Sequence, residues 1–213
     1  MPVRSEPFNP LDLEHLGESV GRHLLLREKV ALKGLPKMLG AGVYAIYYTG
    51  DHELYQPISA SDGERPIYIG KAIAKGGRKG NIDQSRETEA LWKRLQEHAK
   101  SLTEAEDLDA ADFVVRYLVV VDVFIPLAEQ VMIQRYRPVW NQVVDGFGNH
   151  NPGSGRAKQA RSRWDELHPG RPWAAPEVMP KPAALTREQL RGLVKRFFAG
   201  GESGHPLPLE FDV

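Results

Sequence analysis

The stretch AGVYAIYYTG (residues 41–50) decides the fold of this chain, together with RPIYIGKA (residues 65–72) shortly after it. Both are rich in tyrosine and β-branched residues and are bounded by turn residues, which is typical of strands. We predict a hairpin of Gly42 to Tyr48 with Pro66 to Gly70, separated by the long excursion TGDHELYQPISASDGER. Tyr44 and Tyr68 then either serve only to form the strands or also carry chemistry.

Helices and one further strand surround this hairpin in the sequence pattern. Helical spacing of leucine and valine predicts one or two helices between residues 9 and 33. Strong helix formers predict a helix over 86–101, a buried type of strand follows over 112–121, and Pro126 to Arg137 reads as a helix that Pro138 ends. The order ββαβα indicates an α+β unit.

The C-terminal part of the chain carries a helix start signal and an apolar helix face. Thr186 and Gln189 form a predicted capping box, and Leu190, Leu193, Val194 and Phe197 follow on one packing face. Before it lies the Pro-rich tract HPGRPWAAPEVMPKPAAL, which we predict to be extended.

Composition is that of an ordinary globular protein, with 41% hydrophobic and 26% charged residues. Cysteine is absent, which excludes disulfides, thiol catalysis and zinc ribbons. The first residues, MPVRSEPFNPLD, lack the apolar region of a signal peptide. The longest apolar stretch, FVVRYLVVVDVFI, is interrupted by Arg116 and Asp122 and is too short to span a bilayer. We therefore expect a cytoplasmic protein.

Charge is segregated along the chain although its formal sum is zero. Residues 65–100 carry nine Lys/Arg against four Asp/Glu, and residues 151–200 carry ten against four. Residues 101–130 carry one against seven. If the two basic segments fold onto one face, they could bind a polyanion; otherwise they are solvated helix faces.

Two short tracts have the letters of known motifs but lack the sequence context that those motifs require. GAGVYA (residues 40–45) has the letters of a dinucleotide fingerprint, but its glycines precede a strand instead of opening a helix. NHN (residues 149–151) is similar to the middle of an HNH nuclease motif, yet a suitable second histidine is missing from the sequence that follows. We interpret NHN as part of a turn-forming loop.

One ordered constellation remains, in which polar residues follow each predicted element. Two tyrosines occupy matching points of the strands, an arginine and a histidine share a helix face at i and i+4, a glutamate lies inside the next helix, and an asparagine follows it. Each residue alone is more often structural. In chain order they are Tyr44, Tyr68, Arg94, His98, Glu129 and Asn141.

This ordered set resembles the GIY-YIG nuclease superfamily, with GVY and YIG as its two triplets. The long excursion between the triplets, WNQVVDGFGNHNPGSGR and WDELHPGRPWA are similar to the stand-alone type II restriction endonuclease branch. The resemblance covers roughly residues 40–175. It implies a small central antiparallel or mixed sheet flanked by helices, and we divide the chain into an N-terminal helical extension (1–38), a nuclease core (39–175) and a C-terminal Pro-rich segment with a helix (176–213).

The resemblance implies hydrolysis of a DNA phosphodiester with one Mg²⁺ ion, for which Mn²⁺ can substitute. Glu129 is the implied metal ligand, Arg94 would contact the phosphate, and Asn141 would orient a tyrosine or Glu129 through its amide. Tyr44 is the implied general base, and Tyr68 would orient the water or the phosphate. Arg94, Lys71 and the metal would favour the phenolate form of Tyr44. His98 could instead be the base itself or a relay to Tyr44.

Double-stranded DNA is the expected partner, cut by a homodimer at a short palindromic, G·C-rich site, alongside a cognate DNA methyltransferase. A structure-specific repair nuclease of the same superfamily and a non-catalytic DNA-binding protein on the same scaffold are the alternatives. The residues that we expect to contact DNA are all basic. They are Lys71, Arg78, Lys79, Arg156, Lys158, Arg161 and Arg163.

Overall fold

The structure is a computed structural model that describes residues 13–59, 65–74, 87–151 and 159–200. Between residues 42 and 136 its strands and helices follow the predicted order ββαβα. The strands are β1 (Val30–Ala31), β2 (Gly42–Tyr48), β3 (Pro66–Ala72) and β4 (Phe113–Val119). The helices are α1 (Leu13–Leu25), α2 (Ala90–Glu104), α3 (Ile125–Tyr136), α4 (Val139–Gln142), α5 (Arg163–Leu167) and α6 (Arg187–Ala199). The prediction of an α+β fold is confirmed.

The N-terminal segment departs from the helical prediction. α1 ends at Leu25, and Val30 and Ala31 pair with Val115 and Val114 of β4 instead of continuing the helix. The fully buried Leu32 follows directly and packs in the core. Sheet pairing and burial of Leu32 therefore override the helical spacing at this end of the predicted segment.

The four strands form one antiparallel sheet in the order β1-β4-β2-β3. The predicted hairpin is confirmed, because β2 pairs with β3 in the register Tyr44 opposite Gly70. All seven residues of β2 are buried, since this central strand has packed layers on both faces. A shift in register between Ile46 and Tyr47 marks an irregularity near the far end of the pair.

Alternation along β2 divides its side chains between two cores. Tyr44, Ile46 and Tyr48 belong to a core that also contains residues of α2, α4, α5 and α6. Val43, Ala45 and Tyr47 belong to a second core with residues of α1 and α3. The two tyrosines at positions 44 and 47 therefore point to opposite faces of one strand.

Glycines in both triplets allow close approach within the sheet. A Cβ added at Gly42 would lie 1.9 Å from the backbone oxygen of Leu118 in β4. One added at Gly70 would lie 2.4 Å from the hydroxyl oxygen of Tyr44. A side chain at residue 42 would clash with the β4 backbone, so glycine there allows the strands to pair. A side chain at residue 70 would clash with Tyr44, so glycine there leaves room for the Tyr44 hydroxyl.

The last helix begins as predicted. The Thr186 side chain accepts from the backbone N–H of Gln189, whose side chain accepts in turn from the Thr186 backbone. Leu190, Val194 and Phe197 of α6 are buried in the same core as Tyr44. The C-terminal helix therefore packs against the layer that carries the hairpin tyrosines.

Among the described residues, none of the helices is both long and apolar enough to cross a lipid bilayer.

We expect Gly42→Ala to lower the free energy of unfolding by about 2 kcal/mol or more, because the added methyl group meets the β4 backbone. Gly192→Ala is the matched control, since its Cβ would lie 3.5 Å from the nearest atom, the Nη1 of Arg196, on helix α6. The control should gain up to about 1 kcal/mol from helix propensity. Urea denaturation measures both; equal stabilities would contradict the steric explanation.

Candidate active site

The Tyr44 hydroxyl lies between two side chains of α2. Its oxygen is 2.7 Å from Nε2 of His98 and 3.3 Å from Nε of Arg94. Arg94 and His98 are one helical turn apart, so both side chains lie on the same face of α2, which is directed toward the sheet. Tyr44 is fully buried and His98 is 1% exposed. The structure thus brings together three of the predicted site residues.

Burial keeps both members of the Tyr44–His98 pair neutral. Burial raises the pKa of the Tyr44 hydroxyl well above its ordinary value, and the neighbouring Tyr68 adds to this while Arg94 opposes it. Burial also holds the pKa of His98 well below its ordinary value, helped by the positive charges of Arg94 and Arg171. The expectation that Arg94 favours the phenolate is right in sign, but burial outweighs it.

Hydrogen bonding then defines where the Tyr44 proton points. The Nε–H of Arg94 can only donate, so the Tyr44 oxygen accepts that bond. The hydroxyl hydrogen is consequently free to point at Nε2 of the neutral His98. This arrangement prepares a proton path from Tyr44 to the imidazole.

Tyr68 lies beside this pair on the edge strand. Its ring centroid is 6.3 Å from that of Tyr44 and 5.3 Å from that of His98. Burial raises its pKa as well, with Arg94 opposing the shift. The two triplets therefore place their tyrosines in one cluster, as the sequence pattern predicted.

A loop over residues 145–151 forms one wall of the cluster. Phe147 stacks on His98 with ring centroids 4.4 Å apart and planes 16° apart. The Gly148 carbonyl accepts a 2.7 Å hydrogen bond from Nη2 of Arg94. A Cβ at residue 148 would lie 2.6 Å from the Tyr68 hydroxyl oxygen. The interpretation of NHN as part of a turn-forming loop did not predict that this tract lies against the site. The close spacing of glycines in DGFG is the sequence signal that could have indicated it.

His150 and Glu97 lie next to Arg94 at the exposed side of the cluster. Nη1 of Arg94 is 2.6 Å from Nε2 of His150 and 3.2 Å from Oε2 of Glu97. The same Glu97 oxygen is 3.0 Å from Nδ1 of His150. Both side chains are more than half exposed, so water or a ligand can reach this side of Arg94.

Arg171 binds the backbone of the 145–151 loop, a role that the sequence analysis did not predict. Its guanidinium donates to the carbonyl oxygens of Gly146 at 3.1 Å, Phe147 at 3.4 Å and Asn149 at 3.2 Å. Nε of Arg171 lies 2.7 Å from Asp165, and the side chains are 0% and 2% exposed. An arginine in a Pro-rich tract is typical of a surface, so the sequence carries little signal for this buried position.

Glu129 of α3 and Lys71 of β3 form an ion pair of 2.6 Å, with side chains 18% and 35% exposed. The predicted metal ligand and the predicted phosphate contact therefore bind each other. The carboxylate of Glu129 also raises the pKa of Tyr44 and of Tyr68, although burial contributes more in both cases. Glu129 thus lies within electrostatic reach of the tyrosine cluster.

Asn141 holds the backbone of the second triplet. Its Oδ1 accepts from the Ile69 N–H and its Nδ2 donates to the Ile69 carbonyl, both at 2.9 Å. Ile69 lies between Tyr68 and Gly70 on the edge strand. The amide therefore binds the strand backbone, whereas we had expected it to orient a tyrosine or Glu129.

The predicted DNA contacts are only partly within the described residues. Arg161 binds Glu166 at 2.9 Å and the Met179 carbonyl at 3.3 Å, so this arginine has local structural partners. Arg163 donates to the Val143 carbonyl at 3.1 Å and is 42% exposed. Lys71 pairs with Glu129, and the remaining four predicted residues lie outside the described residues: Arg78, Lys79, Arg156 and Lys158.

The sequence matches a known protein family. The family model described as the Eco29kI GIY-YIG domain matches residues 37–197, well over half of the chain. Comparison with curated proteins gives no match. The matched span contains both triplets, α2 with Arg94 and His98, Glu129 and Asn141. The chain therefore belongs to the GIY-YIG family of DNA endonucleases, in its Eco29kI type.

Proposed function

We propose that this protein is a type II restriction endonuclease, which hydrolyses phosphodiester bonds of double-stranded DNA at a short palindromic site. One observation carries the proposal: the buried Tyr44 hydroxyl contacts Nε2 of His98 and Nε of Arg94 within a matched nuclease fold. A neutral histidine behind a tyrosine offers a proton acceptor, and an arginine beside it offers charge for a phosphate.

Tyr44 and His98 act together as the proton acceptor in this proposal. Tyr44 has a raised pKa, so its phenolate is too scarce at neutral pH to act alone. As the attacking water loses a proton to the Tyr44 oxygen, the hydroxyl proton passes to Nε2 of His98, 2.7 Å away. Tyr44 stays neutral throughout, and His98 carries the charge until the proton leaves.

Arg94 stabilises the phosphate, and its present partners indicate from which side. The Nη2 group is held by the Gly148 carbonyl, whereas Nη1 faces the exposed Glu97 and His150. A phosphate oxygen could replace the Glu97 carboxylate oxygen at Nη1, since both are anionic acceptors. The guanidinium would keep its orientation while it changes ligands.

Glu129 is the proposed ligand of the divalent ion, and Mg²⁺ fits its chemistry. A hard cation that keeps most of its waters needs few protein carboxylates, and Glu129 is the one carboxylate among the six residues of the ordered set. Lys71 contacts one of the two carboxylate oxygens, Oε2. When bound, the ion polarises the phosphate and stabilises the leaving oxygen.

The proposed partners follow from cutting both strands with one site per chain. A homodimer on a palindromic site matches the two-fold symmetry of the duplex. Arginines that read guanine edges favour a G·C-rich sequence, and a cognate DNA methyltransferase would protect the host. Arg161 is 13% exposed and bound to Glu166, whereas Arg163 is 42% exposed. The contribution of the basic segment is therefore assigned to Arg156, Lys158 and Arg163, with Arg78 and Lys79.

A plasmid digest with and without Mg²⁺ tests the proposed function. A restriction enzyme gives discrete fragments whose mapped ends define one recognition sequence. Cleavage at branched or flapped junctions alone would favour the structure-specific repair nuclease. Retarded migration without any cleavage in Mg²⁺ or Mn²⁺ would favour the non-catalytic DNA-binding protein.

We expect Tyr44→Phe and Glu129→Ala each to lower the cleavage rate by at least about 100-fold while DNA affinity stays close to that of the wild type. The reason is that each removes a group used in the reaction and not in duplex recognition. Cleavage time courses and filter binding in Ca²⁺ measure the two quantities.

Tyr47→Phe is the matched control for Tyr44→Phe. Tyr47 is also fully buried on β2, but it points into the other core, where its hydroxyl accepts from Arg116 at 3.3 Å. This variant should cleave at the wild-type rate. Normal turnover by Tyr44→Phe, or an equal loss in Tyr47→Phe, would rule out the assignment of Tyr44.

Neutralising Arg156, Lys158 and Arg163 to Gln should weaken DNA binding and reduce the slope of log affinity against log salt by about 0.9 per lost phosphate contact. A control removes three positive charges elsewhere, at Lys100, Arg191 and Lys195, which pair with Glu104 or Glu53. Binding titrations over a range of salt concentrations provide both values. An unchanged slope in the first variant would exclude this segment from the DNA interface.

A further inference from the structure

Two histidines and one aspartate, side chains of the types that can hold a metal ion, form a cluster that shares no residue with the tyrosine cluster. His52 comes from the excursion between β2 and β3, Asp107 from the α2–β4 connection, and His168 from the end of α5. One ligand atom from each lies within 4.8 Å of the other two. His168 is fully buried, and His52 and Asp107 are 16% and 22% exposed.

We propose that His52, Asp107 and His168 form a zinc site that ties the excursion between β2 and β3 to the C-terminal part of the protein. Nδ1 of His168 is 3.0 Å from Oδ1 of Asp107, and Nε2 of His52 is 3.9 Å from Oδ2. Ligand atoms around tetrahedral zinc lie about 3.3 Å apart, so small side-chain rotations bring these three to coordinating positions. A water molecule completes the tetrahedron.

The far side of His168 has the support that a zinc-bound histidine needs. Its Nε2 is 2.5 Å from the Tyr55 hydroxyl, which accepts a 2.9 Å hydrogen bond from Nε1 of Trp140. Tyr55 and Trp140 are both buried, so they fix the ring orientation of His168. Histidine ligands of metals usually have such a partner at the other ring nitrogen.

Three existing interactions must yield when zinc binds. Nδ1 of His52 accepts a 3.2 Å hydrogen bond from the Leu54 backbone N–H, which a neutral His52 must give up to bind zinc through Nε2. Nη2 of Arg187 lies 2.7 Å from Oδ2 of Asp107, but its side chain is 46% exposed and can turn into solvent. The proton on Nδ1 of His168 must move to Nε2, which then donates to the Tyr55 oxygen, and the Tyr55 hydroxyl hydrogen must turn away from Nε2. The Arg187 side chain is 46% exposed, so its ion pair is weak, and the changes at the three ligands must be offset by the free energy of zinc binding.

Titration of tag-free, chelator-treated full-length protein with Zn²⁺ and Co²⁺ tests the site. We expect one zinc ion per chain, a tetrahedral cobalt spectrum and a higher melting temperature with zinc. His52→Gln, at a partly exposed position, should weaken zinc binding by at least about 100-fold. Arg187→Gln should tighten it several-fold, because it removes the cation that competes for Asp107.

Glu129→Ala separates this site from the proposed nuclease metal, since this variant should bind zinc like the wild type. The proposal is overturned if the wild type binds no zinc, or if His52→Gln binds zinc with unchanged affinity. It is also overturned if Glu129→Ala abolishes zinc binding. None of these readouts depends on DNA cleavage, so failure of the proposed function leaves the zinc result interpretable.

Discussion

The fully buried hydroxyl of Tyr44 is the constraint on which the rest of the site depends. A buried hydroxyl needs hydrogen-bond partners, and His98 and Arg94 supply them from one face of α2. Gly70 leaves the space that this hydroxyl occupies on the neighbouring strand. The position of one oxygen atom therefore explains a glycine on β3 and the i, i+4 spacing on α2.

The C-terminal half of the chain closes the site that the hairpin begins. Arg171 binds three carbonyl groups of the 145–151 loop, and Phe147 in that loop stacks on His98. This burial keeps His98 neutral, which the proposed proton transfer requires. Removing the Arg171 cation would leave Asp165 buried without its partner, so the loop and the protonation of His98 depend on one buried ion pair.

Local sequence signals were sufficient to predict the hairpin, α2, β4, α3 and the capped start of α6. Each has a short-range cause: strand composition between turn residues, helix formers, Pro126 at a helix start, and the Thr186–Gln189 box. The resemblance of the ordered set to the GIY-YIG superfamily also predicted that Tyr44, Tyr68, Arg94 and His98 meet. The signals for the helices and strands act within a few residues or within one hairpin, whereas Tyr44 meets Arg94 and His98 across separations of 50 and 54 residues.

Long-range contacts could not be predicted from local patterns. The pairing of β1 with β4, the burial of Arg171 and the hydrogen bonds of Asn141 to Ile69 join residues far apart in the chain. The shift in the pKa of Tyr44 depends on how much protein covers it, and the sequence suggested only its charged neighbours. The Lys71–Glu129 pair likewise joins two residues to which separate ligands had been assigned.

The central claim is that Tyr44 and His98 accept the proton as one unit. The most direct measurement is the single-turnover cleavage rate of the wild type against pH, with saturating enzyme and metal ion. A neutral His98 with a depressed pKa predicts a rate that stays level from about pH 6.5 to about pH 8.5. A rate that rises about tenfold per pH unit over this range would show that a group must lose its proton before the reaction, as a Tyr44 phenolate base requires, and would contradict the account.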